Sequence, residues 1–374
     1  MTDEKIRIAQ PYMDSEIESI VLSVLRSGRL VQGRLVRRLE EEIEKYVGSR
    51  HAVAVNSGTA ALHSALAAVR DRTTVTAPEV ITTPLSFSAT ANAIVHAGCK
   101  PVFVDVNEAT FNIDDSLIES AIGDKTIAIE PVDVFGLPAN LLGVASIAKP
   151  HSLPIIEDAA EAIGASQGGM KVGNISSLTC FSTYATKNIH SGEGGFVTTN
   201  EDAYDTFMRT FRNQGQVSKY NQTILGYNFR MLETSAAIAI PQVSKIDDLR
   251  AKRQQHATRL REGLRGVDSL DFQEVKDPSQ HAWYMFAVIL DPKRASISRD
   301  ALVAKLNEQG VEADVAWPTP IHLQPYYRTR FSFREGDFPN TEKICKSIFQ
   351  LPIQPNLSDI QIDEVISKVR LIVK

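Results

Sequence analysis

CFSTYATKNIHSGEGGFVTTN, residues 180–200, sets one lysine, Lys187, between an apolar strand-like run and a glycine-rich turn. Upstream, Leu178, Cys180, Phe181 and Tyr184 are apolar or aromatic, with small hydroxyl residues among them. Downstream, Gly192, Gly194 and Gly195 supply a turn before a second strand-like run, 196–199. Both flanks read as buried. Lysine is ordinarily solvated. One held among buried elements loses hydration, which predicts a lowered pKa and a free amine able to attack a carbonyl. A loop lysine beside a hairpin accounts for this segment equally well, so the pattern on either side has to decide.

That pattern alternates. HAVAV (51–55) precedes ALHSALAAV, EVITTP (79–84) precedes ATANAIVHAG, KPVFVDV (100–106) follows, TIAIEPVDVF (126–135) precedes NLLGVASIAK, and LPIIED (153–158) comes next. Short β-rich runs separated by helical ones predict βαβ units, hence an α/β fold with a mainly parallel sheet. Ahead of them, Asp14 as N-cap, apolar residues at helical spacing and Gly28 as terminator predict a helix over 15–27, with a second over 35–47. After about residue 245 the texture changes to a charged helix over 244–264, the run HAWYMFAVIL, and helices over 299–309, 341–348 and 358–373. The expected organisation is a large domain, 1–245, and a smaller C-terminal α+β domain, 246–374, with the N-terminal helix free to pack on the latter. No Gly/Ser linker separates them, so the predicted boundary is soft.

Bulk properties narrow the class. The 374 residues are 43% hydrophobic and 23% charged, with net charge −5, which describes a soluble globular chain large enough for a deep cleft. Without a long basic run, neither nucleic acid nor an anionic membrane is an expected partner. The start MTDEKIRIAQPYMDSEI holds no apolar leader and no run is long enough to span a bilayer, so a cytoplasmic location is expected. Cys99, Cys180 and Cys345 show neither metal-ligand spacing nor a disulfide framework and read as packing residues.

The chemistry falls at the ends of the predicted strands. NSGTAAL (56–62) is a strand–turn–helix junction whose Ser57, Gly58 and Thr59 offer backbone N–H groups to a phosphate, or simply cap the helix. Phe87, in LSFSATANA, can stack on a flat ligand or serve the core. Asp158 closes LPIIED, so its carboxylate belongs at the C-terminal edge of the sheet, where α/β proteins bind ligands; an N-cap starts from the same geometry. A phosphate cradle, a stacking ring, a strand-end aspartate and a buried lysine together match the needs of pyridoxal 5′-phosphate. The lysine forms an imine with it, and the aspartate keeps its pyridine nitrogen protonated. No metal is called for.

With these residues stand SGRLVQG (27–33), YVGSRHAVAVNSGTAALH (46–63), SFSATANAIVHAGCKPVFVDV (86–106), IEDAAEAIGA (156–165), FSTYATKNIHSGEGG (181–195), FRNQGQ (211–216), GYNFRM (226–231), IHLQPYY (321–327) and LPIQPNL (351–357). In that order they resemble the DegT/DnrJ/EryC1/StrS family of sugar aminotransferases over nearly the whole chain. The resemblance implies the aspartate-aminotransferase-like architecture, PLP fold type I, and a homodimer with shared active sites. It implies that Lys187 carries the cofactor, Asp158 meets the ring nitrogen, Phe87 stacks on the ring, and Gly58, Thr59 and Ser182 hold the phosphate. Asn228 is implied to reach the phosphate of the neighbouring subunit, and His322 to lie near the substrate mouth. Arg29 and Arg230 are the cations expected for a substrate diphosphate.

The chain departs from the family pattern at four places. Glu161 replaces a frequent glutamine near the cofactor's 3-hydroxyl and is kept as a cofactor contact; a carboxylate there favours a protonated neighbour or a shifted hydrogen bond. Asp133 and Gln214 replace histidines, and Arg29 replaces a tryptophan. The implied reaction is ping-pong transfer from L-glutamate to a nucleotide-linked keto-sugar. A cyclitol ketone stays open as the acceptor, and a DNA-binding regulator is disfavoured by the charge. Lys187 argues against the dehydratase branch, which carries histidine there.

Overall fold

The computed structural model describes residues 5–373. Residues 1–4, part of the start read as lacking a leader, and residue 374 lie outside the described residues.

Two helices open the chain, α1 (Ser15–Ser27) and α2 (Arg34–Val47). Asp14 caps α1 by accepting the Ile17 N–H at 3.0 Å, and Gly28 ends it in the left-handed conformation, φ 67°. No side chain at Gly33 caps α2. Instead Glu233, at the start of a distant helix, accepts the N–H groups of Gly33, Leu35 and Val36 at 2.9–3.0 Å. Such a cap contributes roughly 1 kcal/mol. The buried stripe Val36, Leu39, Ile43 and Val47 contributes roughly 1.5–3 kcal/mol per large side chain, so packing decides where α2 lies.

The large sheet uses β1 (His51–Val55), β2 (Glu79–Thr82), β3 (Lys100–Phe103), β4 (Thr126–Ile129), β5 (Ile156–Asp158), β6 (Leu178–Ser182) and β7 (Gly195–Thr199). One portion has the order β1-β7-β6-β5 and the other β3-β2-β4. Parallel bridges Ile129–Ile155 and Val132–Asp158 join them. Of these seven strands β7 alone runs against the rest, which bears out the mainly parallel α/β expectation. The helices α3 (Gly58–Asp71) and α4 (Ala89–His96) follow β1 and β2, so their N-termini lie at the edge where those strands end.

Further along, α5 (Glu233–Val243) packs against α1 and α2. The next helix, α6 (Ile246–Gly263), starts in one core with Ile246 and ends in another with Ala257 and Leu260. That second core surrounds an antiparallel sheet of β8 (Leu270–Phe272), β9 (Phe286–Leu290) and β10 (Ile348–Leu351), covered by α7 (Asp359–Val373). From the N-terminal region the segment at Ile6 joins this core, donating its N–H to Gly310 and bridging Val311, while α1 lies on α5. Cys99, Cys180 and Cys345 are buried free thiols. No helix among the described residues is long and apolar enough to cross a membrane.

Candidate active site

Because β1, β2, β5 and β6 run in one direction, the last residues of β5 and β6, the start of α3 and the loop after β2 converge at one edge of the sheet. They enclose a cavity of about 550 Å³ whose lining includes Gly58, Thr59, Phe87, Asp158, Glu161, Ser182 and Lys187.

Lys187 sits where a tight turn leaves β6, its N–H donating to the Tyr184 carbonyl at 2.9 Å. Gly195 lets the returning strand close in: a Cβ there would lie 2.6 Å from the Phe181 carbonyl and 2.7 Å from that of Ser57. The ammonium Nζ donates to Glu161 Oε1 at 3.1 Å and stands 4.0 Å above the centre of the Tyr284 ring. Glu161 is fixed in turn by the Phe135 N–H at 3.0 Å, and the Tyr284 hydroxyl bonds Thr186 at 3.0 Å. This setting reverses the expected pKa. Burial pulls the Lys187 pKa down, but the Glu161 carboxylate, Tyr284 and Asp158 pull harder, and the net direction is upward. The lysine, anticipated as buried, is partly exposed to the cavity, its side chain 13% accessible, and the neighbouring carboxylate favours the ammonium form. Tyr184, expected to be buried with the strand, is exposed on the cavity wall.

Asp158 is 4% exposed and accepts from Thr90 Oγ1 at 2.7 Å and from the Ala160 N–H at 3.2 Å. Burial pushes its carboxyl up; the Thr90 and Ala160 donors restrain the rise, and the net direction remains upward. At the other wall Ser57 Oγ accepts the Ala60 N–H, capping α3 at 3.1 Å. The first-turn N–H groups of Gly58 and Thr59 have no acceptor within the helix and are available to an anion. A Cβ at Gly58 would lie 2.8 Å from that of Ser182, so only glycine leaves the gap between α3 and β6 open. Phe87 is 63% exposed, with its ring free at the cavity. An amine, a donor-held buried carboxylate, a free ring and an open helix start on one cavity fit pyridoxal 5′-phosphate.

Four expected site residues lie elsewhere on the chain. Asn228 is exposed, paired through its backbone carbonyl with Asn56, and does not line its own chain's cavity. Arg29 is exposed on the loop between α1 and α2, and Arg230 donates to Asn213 at 3.1 Å; neither lines that cavity. His322 is a correction. It is 0% exposed, bonded to Glu342 at 3.0 Å and packed edge-on against Phe338, so it presents no surface to a substrate. Sequence reasoning passed over Thr90, Thr186, Tyr284 and Trp317, which all line the cavity. A threonine three residues after Phe87 was the available signal for Thr90. Tyr284 lies in the run HAWYMFAVIL, to which no chemistry was assigned.

Asp158 has acidic company. Glu130, Asp133 and Glu157 are completely buried, and both carboxyl oxygens of Glu130 are without a donor. Burial, with Asp158 nearby, raises the Glu130 pKa well above the usual carboxylate range. Between its unfolded and folded pKa values the native state therefore holds a proton that the unfolded chain has released, and stability falls as pH rises, by about 1.4 kcal/mol per pH unit. Glu130→Gln removes this dependence. Its thermal melting point is expected to gain on wild type as pH rises above the ordinary glutamate range; parallel curves would show Glu130 to be ionised in the fold.

A family model for the DegT/DnrJ/EryC1/StrS aminotransferases matches residues 11–370. The chain belongs to that family. It is 35% identical over 376 residues to the spore coat polysaccharide biosynthesis protein SpsC of Bacillus subtilis, covering 97% of this chain and 96% of the relative. Among solved structures it superposes on Helicobacter pylori PseC, an aminotransferase involved in pseudoaminic acid biosynthesis, with TM-score 0.92 and 27% identity over 99% of both chains. Against S. venezuelae DesV the TM-score is 0.90 with 32% identity, covering 96% of this chain and 94% of that one. This aminotransferase is pyridoxal 5′-phosphate-dependent and has the architecture of the sugar aminotransferases.

Proposed function

We propose that this aminotransferase moves an amino group from L-glutamate to a keto-sugar carried on a nucleotide, in the cytoplasm, through a homodimer whose two cavities each borrow residues from the other chain. The observation that carries the reading is the Lys187–Glu161 contact in a cavity that also holds Asp158 and the open start of α3. The relatives that act in polysaccharide and pseudoaminic acid biosynthesis support a sugar acceptor. Asn228, which the resemblance gives to the neighbouring subunit's phosphate, is exposed and outside its own chain's cavity, as a shared site requires.

When bound, pyridoxal 5′-phosphate supplies an electron sink beside the reacting nitrogen. Gly58, Thr59 and Ser182 would hold its phosphate, Phe87 its ring face and Asp158 its ring nitrogen. Lys187 begins as ammonium, and Glu161 Oε1, at 3.1 Å, is the acceptor placed to take its proton. Freed by the incoming donor, the Lys187 amine takes the proton from the donor's Cα and returns one on the product side. Tyr284, lying against Nζ, keeps water from that amine.

Adding L-glutamate to the holoenzyme is expected to replace the visible band of lysine-bound cofactor with that of the amine form. An unchanged spectrum with every amino donor tried would overturn the reading. The aminated holoenzyme is then offered 3-keto and 4-keto nucleotide sugars and a keto-cyclitol. Recovery of the original band with the cyclitol alone would transfer the proposal to that acceptor class.

A further inference from the structure

Asp133 and Glu157 are both fully buried, and one oxygen of each, Asp133 Oδ2 and Glu157 Oε1, lacks a donor from other residues. The remaining oxygens are occupied: Asp133 Oδ1 accepts the Ala139 N–H at 2.9 Å, and Glu157 Oε2 accepts from Thr179 at 2.8 Å. Val132 and Asp158 form a parallel bridge and the Asp133 N–H donates to the Asp158 carbonyl, so Asp133 and Glu157, each one residue along from the bridged pair, face the same side of the sheet on neighbouring segments. Their hydrogen-bond donors are a backbone amide and a hydroxyl, not a cation. Two facing carboxylates in such a place repel, as in any site where two acids share a pocket, and one proton between them turns that repulsion into a charge-assisted hydrogen bond.

The pair stands directly behind Asp158. Glu157 precedes Asp158 on β5, and the Asp133 N–H donates to the Asp158 carbonyl at 3.0 Å. Asp133 also lines the cavity. The titratable groups around the pair are Asp158 on β5, Cys180 on β6 and, beside Asp158, Glu130 at the exit of β4. Lys187 and Glu161 act on Asp158 from the cavity side.

We propose that Asp133 and Glu157 hold one proton between their carboxyls, and that the single negative charge left on the pair is part of the field in which Asp158 meets the cofactor's ring nitrogen. Both are positioning residues, and the inference rests on the reading of Asp158 as the ring-nitrogen partner. One charge on two acids makes a distinctive pattern. Asp133→Asn and Glu157→Gln each substitute an amide N–H for the shared proton and leave one carboxylate, so neither changes the charge of the pair. The double variant D133N/E157Q removes that charge, and protons on the bound cofactor are then held less tightly.

The experiment titrates the visible absorbance of each holoenzyme against pH. Both single variants are expected to keep the wild-type midpoint, and the double variant to move it down by about one pH unit, a tenfold loss of proton affinity. A shift in either single variant would mean two charges on the wild-type pair, and no shift in the double would mean none reaches the cofactor; either result overturns the proposal. Infrared difference spectra give a reading that survives misfolding of the double variant. Glu130 gives a protonated-carboxyl signal of its own, so the comparison is made in a Glu130→Gln background: the signal remaining there is expected to vanish on adding either Asp133→Asn or Glu157→Gln, and its persistence with either would refute the shared proton. Asp158→Asn separates the underlying assumption: if Asp158 is not the ring partner, its midpoint stays at the wild-type value while the infrared result for the pair is unchanged.

Discussion

Lys187→Ala is expected to lower transamination by at least about 10⁴-fold, because in the proposed mechanism one amine serves as both the attachment point and the proton carrier. The structure leaves no substitute for it. Glu161, its ion-pair partner at 3.1 Å, is also held by the Phe135 N–H, and the Tyr284 hydroxyl is engaged with Thr186. The loss should fall on kcat and be accompanied by the absence of cofactor fixed to the chain by borohydride, with wild type fixed and bleached under the same conditions. The far-ultraviolet circular dichroism should stay at the wild-type level, since the side chain lies on a cavity wall and supports no buried apolar cluster. An alanine variant retaining a tenth of wild-type turnover would remove Lys187 from the chemistry.

Much of this frame was legible in the sequence because it depends on local rules. Short β-rich runs followed by helical ones specify βαβ units, and Asp14 and Gly28 bracket α1, one by its side-chain acceptor and the other by its left-handed backbone. The strand-end position of Asp158 follows from the same pattern. What escaped depends on contacts between distant segments. Glu233 caps α2 from 200 residues away in sequence, and nothing near Gly33 announces it. The lowered pKa predicted for Lys187 used its burial alone; the Glu161 carboxylate that reverses the sign arrives by way of another strand's loop. His322 was misplaced for a related reason, since its aromatic surroundings line a buried cluster and the motif alone does not say which way the ring faces. Glu161 was anticipated to favour a protonated neighbour, and the neighbour that the fold supplies is Lys187.

Asp158→Asn is expected to lower kcat by about a hundred- to a thousandfold, in the range found when one preorganised electrostatic partner is removed. An amide has nearly the same shape: its one oxygen can keep the Ala160 N–H, while its NH2 replaces the oxygen that Thr90 met and can donate to the Thr90 hydroxyl. What changes is the charge. A carboxylate draws a proton onto a ring nitrogen opposite it, whereas an amide can donate to an unprotonated one, and the electron sink weakens in proportion. Burial makes the contrast sharp: in a nearly water-free wall the lost ion pair is not replaced by solvent. Phosphate recognition by the start of α3 is untouched, so cofactor should still load, with its affinity reduced less than its turnover. The check is a comparison of bound cofactor, absorbance and kcat in the same preparation. A variant that loads cofactor and turns over at the wild-type rate would take Asp158 off the ring nitrogen, whatever its position at the end of β5.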